Sequence, residues 1–137
     1  MYISAKTGYA IRALVELSKQ PENTPLPLAE ICTSQNIPFK YTEQLFRKLK
    51  KHNLIKSVYG SQGGYVLAKE PDNISLKDIM HAIGEEVCNT YCEPDKKEYC
   101  KGLPCGIHDM WNEIQEHFIS YFSKIKLSNI AQKIKRG

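Results

Sequence analysis

The stretch from Pro38 to Ala68, PFKYTEQLFRKLKKHNLIKSVYGSQGGYVLA, constrains the fold more than any other part of the chain. Its first half places Tyr41, Leu45, Phe46 and Leu49 at the period of one helix face, which predicts a helix from about Pro38 to His52. The opposite side of that helix carries Lys40, Glu43, Gln44, Arg47, Lys48, Lys50 and Lys51. The second half sets β-branched and aromatic residues on both sides of GSQGG. This predicts a hairpin whose tip holds Gly60, Gly63 and Gly64.

Two helices precede this unit. Ala10, Ala13, Leu14 and Leu17 follow helical spacing and place a first helix from about Ser4 to Ser18. Pro21, Pro25 and Pro27 then interrupt it, because proline removes a backbone donor and clashes with the preceding turn. PLAEICTSQN reads as a short second helix with Leu28, Ile31 and Cys32 facing inward, closed by the extended preference of Ile37 before Pro38. Three helices and a hairpin, the third helix basic, are the layout of a winged helix-turn-helix. The expected class is mainly α, with a small β-hairpin wing.

Farther along, Ser75 and Asp78 form a capping-box pattern ahead of an apolar stripe of Leu76, Ile79, Met80 and Ile83, and Gly84 ends that helix. Ile107, Trp111, Ile114, Phe118, Tyr121 and Ile125 alternate steps of four and three, a narrow seam that suits pairing with another helix. No other predicted helix has that pattern. A long C-terminal dimerisation helix pairing with its own copy is therefore expected, against the alternative of packing across the same subunit. A last short helix begins near Ser128.

The net charge is only +4, but the distribution is uneven. From Pro38 to Lys69 the bases Lys40, Arg47, Lys48, Lys50, Lys51, Lys56 and Lys69 face Glu43 as the single acid. Such a local surplus suits a polyanion, here double-stranded DNA with an approximately palindromic operator matching a homodimer. Lys40, Glu43 and Gln44 stand where base edges would be read, and Arg47, Lys48, Lys50 and Lys51 where phosphates would be met. Tyr41 and the hairpin residues Tyr59, Ser61 and Gln62 complete the expected DNA-binding set.

Lys6 and Arg12 interrupt any apolar leader, and no segment approaches the ~20 apolar residues of a membrane span, so a cytoplasmic protein without membrane partners is expected. In that reducing setting the cysteines need another explanation than structural disulfides. Cys88, Cys92, Cys100 and Cys105 fall in one short stretch ending at His108, while Cys32 stands alone on an apolar helix face and reads as a small core residue. Cys92, Cys100, Cys105 and His108 follow the pattern C-x7-C-x4-C-x2-H. Thiolates are soft ligands for an iron-sulfur cluster or zinc, and imidazole can complete either. The absence of a CxxC pair weighs against zinc. A thiol switch without a cofactor is the other competing chemistry. No enzyme is expected, since nothing supplies an oxyanion hole or a substrate cleft. His52, His81 and His117 read as structural or solvated groups.

The runs YAIRALVEL, PLAEI and YTEQLFRKLKKHNLIKSVYGSQGGYVLA, with the later cysteines, His108 and Trp111, resemble the Rrf family of bacterial winged-helix transcriptional regulators over nearly the whole chain. The likeness is greatest to its iron-sulfur cluster-binding members. The resemblance implies a homodimeric repressor or activator with Glu43 and Gln44 at base-reading positions. It also implies three cysteines and one further ligand around a cluster, [2Fe-2S] before [4Fe-4S]. Cys92, Cys105 and His108 fall on matching positions, Cys100 is the natural third thiol, and Cys88 is an alternative to His108. Relatives usually carry arginine where this chain has Tyr59, and the nitric-oxide sensors place an aspartate ligand where it has Gly8. Cysteine regulators of the same family leave a second reading open, a cofactor-free regulator controlled by thiol oxidation or a protein partner. The expected organisation is a DNA-binding region over 1–84, a cluster-binding segment over 85–108, and a dimerisation helix with its tail over 109–137, in one compact unit.

Overall fold

The computed structural model describes residues 3–86 and 105–134. Helix α1 (Ala5–Ser18) buries Ala10, Ala13, Leu14, Val15 and Leu17. It is joined by α2 (Leu28–Gln35) and α3 (Phe39–Lys51), which bury Leu28, Ile31 and Cys32, and Leu45, Phe46 and Leu49, respectively. Asparagine closes two of the turns. Asn36 (φ 52°) ends α2, and the Ile37 N–H beyond it donates to the Cys32 carbonyl at 3.1 Å. Asn53 (φ 60°) ends α3, with the Leu54 N–H donating to Leu49. Asparagine tolerates this left-handed geometry, so both helices stop without glycine.

The α3 stripe corrects one expectation. Thr42, not Tyr41, joins Leu45, Phe46 and Leu49 in the core, because positions 42, 45, 46 and 49 complete the i, i+3, i+4, i+7 series. Tyr41 lies about 100° around the helix from Thr42, is 39% exposed, and meets Tyr9 edge to face at 5.8 Å. The Thr42 hydroxyl is satisfied by the Pro38 carbonyl at 2.6 Å.

Strands β1 (Ile55–Val58) and β2 (Gly64–Leu67) pair antiparallel with Ile55 opposite Leu67 and Val58 opposite Gly64. On the far edge of β2, Leu26 exchanges two hydrogen bonds with Tyr65, each 3.0 Å, and so adds a one-residue third strand. A Cβ at Gly64 would stand 2.5 Å from the Leu26 backbone, and at Gly63 2.2 Å from the Val58 carbonyl oxygen. Only glycine lets the chain pass there. The Tyr65 ring meets Phe46 edge to face at 4.9 Å, fixing the wing against α3.

After a 3-10 turn (Pro71–Asn73), α4 (Leu76–Ala82) opens on the capping box: Ser75 Oγ accepts from the Asp78 N–H and Asp78 Oδ2 from the Ser75 N–H, both at 3.0 Å. Helix α5 (Gly106–Lys124) packs Phe122 on Met80, flanked by Leu76, Phe118, Ile119 and Ile125. Helix α6 (Leu127–Ile134) then returns to α1, and Leu127 is buried in the same core as the first three helices. The link between α5 and α6 is pinned by a short antiparallel bridge, in which Leu76 N–H donates to Ile125 and Leu127 N–H to Ile74, both at 2.8 Å. No helix among the described residues is long and apolar enough to cross a membrane.

Candidate nucleic-acid interface and metal centre

The polar side of α3 is open to solvent along its length. Lys40, Tyr41, Gln44, Arg47, Lys48, Lys50 and Lys51 are exposed and Glu43 is half-buried. They stay outside because the core takes Thr42, Leu45, Phe46 and Leu49 from the same helix, leaving a polar arc that starts at the helix's first turn. Arg47 Nη2 lies 3.3 Å from Glu43 Oε1, one turn back. At this exposure the pair is worth only a few tenths of a kcal/mol, and it holds two side chains together on the open face of α3. Lys48, Lys50 and Lys51 fill the last turn, where the carbonyl end of the helix favours cations.

The hairpin stands beside this face. Tyr59 is 87% exposed, with Ser61 and Gln62 exposed at the tip. Lys50 Nζ reaches to 3.5 Å from the Tyr59 hydroxyl and 5.8 Å from its ring centre. Phe39, at the first turn of α3, is also exposed. Sequence spacing gave no sign of this, because Phe39 stands three and seven residues before the buried Thr42 and Phe46 and by period alone belongs beside them. The end of α2 is held to α1 by an exposed contact, Arg12 Nη2 donating to the Gln35 carbonyl at 2.6 Å.

Helix α5 shows two faces. Phe122 and its neighbours face α4, while Ile107 and Tyr121 are 62% and 63% exposed and Trp111 39%. Ile114, His117, Phe118 and Tyr121 line a shallow apolar depression on that outer side. The helix ends at Lys124, with Ile125 extended beyond it, so the expected seam loses Ile125 to packing within the chain. Phe118 is shared between the seam and the Met80 cluster.

Of the expected metal ligands, Cys88, Cys92 and Cys100 lie outside the described residues. Cys105 carries a free, half-buried thiol at the N-cap of α5, and His108 follows three residues later in the same first turn. Asn112 Nδ2 donates to His108 Nε2 at 2.9 Å, one turn on. Cys105 is extended at the N-cap and His108 lies in the first turn, so a thiol and an imidazole stand at the same helix end, and their donor chemistry suits a soft or borderline metal. Among the described residues no three histidine, cysteine or acidic groups come together to hold a metal. Cys32 takes no part: it is buried in the main core, and desolvation pushes its thiol above the ordinary range despite a hydrogen bond involving Thr42.

One contact reaches the start of the cysteine-rich stretch. Glu85 is buried, and its Oε1 accepts the Ser4 N–H at 2.8 Å, capping α1 where the Ser4 hydroxyl does not. The carboxylate comes from the other end of the folded unit, so no local sequence pattern could have shown it.

A family profile described as Rrf2, iron-dependent transcriptional regulator, matches residues 3–133. The HTH-type transcriptional regulator IscR of Xenorhabdus nematophila is 33% identical over 133 residues, 96% of this chain and 80% of that protein. The IscR of Yersinia enterocolitica is 34% identical over 132 residues, 96% and 79% of the two chains. Among solved structures, CymR (YrzC), the global cysteine regulator of B. subtilis, superposes with a TM-score of 0.78 at 27% identity, covering 97% of this chain and 98% of that one. IscR of T. potens superposes with a TM-score of 0.74 at 25% identity, covering 98% and 88%.

Proposed function

The chain belongs to the Rrf2 family of winged-helix transcriptional regulators, and from that premise we propose a homodimeric DNA-binding regulator governed by an iron-sulfur cluster on its cysteine-rich segment. As a regulator of this kind it binds DNA and is not an enzyme. In the proposed dimer the exposed α5 faces meet through Trp111, Ile114, Tyr121 and part of Phe118, and the two α3 helices enter successive major grooves about 34 Å apart on a near-palindromic operator. Glu43 and Gln44 read base edges there, and the lysines and Arg47 hold phosphates.

The observation that carries the regulatory part is the position of Cys105 and His108. Both sit in the first turn of α5, whose later turns expose Trp111 and Tyr121. A ligand set of Cys92, Cys100 and Cys105 with His108 or Cys88 would pull directly on the element that sets the spacing of the two α3 helices. When bound, the cluster supplies redox and nitric-oxide reactivity, with [2Fe-2S] the nuclearity proposed. His108 must present a neutral ring nitrogen to such a centre, and in doing so would release or share its bond from Asn112. A small shift of α5 is enough to misplace two groove-bound helices. Purification without oxygen, followed by an absorbance spectrum with iron and sulfide assays, tests this reading. A coloured protein with comparable iron and sulfide is expected, and a colourless product free of iron defeats it.

The likeness to CymR favours a second reading, a cofactor-free regulator of the same fold answering to thiol oxidation or a protein partner. Cys92→Ser and Cys105→Ser separate the two. The cluster reading requires loss of colour and of regulation together, whereas a partner-controlled regulator keeps its response.

A further inference from the structure

Tyr59 gains almost nothing from burial, being 87% exposed at the edge of the hairpin tip. Its hydroxyl is nevertheless engaged, 3.5 Å from Lys50 Nζ across the gap between α3 and the wing. An ammonium has no lone pair, so Lys50 donates and the phenol oxygen accepts. The phenol proton must therefore point elsewhere, and among the described residues no acceptor takes it. Two N–H donors of Lys50 are left over as well. The pair thus keeps a donor on each side chain at the junction of α3 and the wing.

Among the described residues Lys50 forms no ion pair. No acidic residue stands between Glu43 and Glu70 in the sequence, and Glu43 is engaged by Arg47 one turn nearer the start of α3. A donor-rich, uncompensated cationic pair matches an acceptor-only anion with two equivalent oxygens. Resting on the reading of α3 as the groove-entering helix, we propose that Lys50 and Tyr59 together grip one phosphate of the DNA backbone, each donating to a different non-bridging oxygen. Their separation of 3.5 Å suits one phosphate better than two successive ones. The wing is thereby anchored to the backbone through a contact that carries no base information, and α3 and the wing are locked to the same point on the duplex.

The full chain is used to select duplexes from a random pool, and affinities for a selected duplex are measured for the wild type, Tyr59→Phe, Lys50→Met and the double variant, after melting curves show each folded. Tyr59→Phe keeps the ring and loses only the donor, and a loss of about tenfold per bound protomer is expected. Lys50→Met should lose a similar factor and lower the slope of log affinity against log salt by about 1 per protomer. The double variant should lose little more than either alone. A single neutral methylphosphonate at the gripped position should weaken the wild type and leave both variants indifferent. Wild-type affinity for Tyr59→Phe, additive losses, or an altered base preference under the wing overturn the clamp while leaving DNA binding intact. Competition by inorganic phosphate at matched ionic strength, seen with the wild type and lost in Lys50→Met, overturns it in favour of a free-anion site. If the wild type selects no duplex, the reading of α3 fails, and the clamp with it.

Discussion

Single residues decide where this chain can bend. Gly64 passes so close to the Leu26 backbone that a methyl group has nowhere to go, and its φ of +157° adds strain for any other residue. Gly64→Ala should cost on the order of 2 kcal/mol, read as a lowered melting temperature. Glu16 offers a test by pH. Partial burial pushes its carboxyl up, but hydrogen bonds from Lys19 and Gln35 and the Lys19 charge outweigh this and hold it below the ordinary value. A depressed carboxyl stabilises the fold above its unfolded-state pKa and loses that contribution as pH falls through the folded one. Glu16→Gln should therefore lower stability by roughly 1 kcal/mol near neutral pH and by progressively less in acid, in paired melting curves. Cys32 and Cys105 should separate by reactivity: Cys32, buried with its thiol pushed up, should alkylate far more slowly than Cys105 until the protein unfolds.

Among the elements, what the sequence made legible depended on how local the cause was. α1, α2 and α3 were readable from apolar spacing because each buries one continuous stripe, and the basic face of α3 followed from the same periodicity. The capping box of α4 was readable because both partners lie within four residues. Tyr41 was misplaced since a tyrosine beside Thr42 outweighs it in hydrophobicity while the geometry favours Thr42. The Leu26 bridge, the Glu85 cap on α1 and the Lys50 to Tyr59 contact were out of reach, each joining residues that only the finished fold brings together. α5 shows both outcomes: the helix was readable from its spacing, but its end at Lys124, and with it the inward turn of Ile125, depends on the bridge to α4. Tyr121→Glu should leave the fold intact, because that ring is exposed, while weakening self-association by about thirtyfold or more in sedimentation experiments. Unchanged association would place the dimer interface elsewhere.

At the scale of the whole molecule, Leu127 of α6 shares a core with α1, α2 and α3, and α5 follows the cysteine-rich segment in the sequence and leads directly into α6. The helix that begins at Cys105 and His108 is tied back, through the Ile125 and Leu127 bridge, to the body that carries α3. In the proposed function, this path is how the segment around Cys105 and His108 would act on DNA binding. The most direct test is the dissociation constant for one selected duplex, measured without oxygen on iron-loaded protein and on the same protein after chelation. The account predicts a change of about tenfold or more between the two. Equal affinity, with the iron content shown to differ, would contradict it.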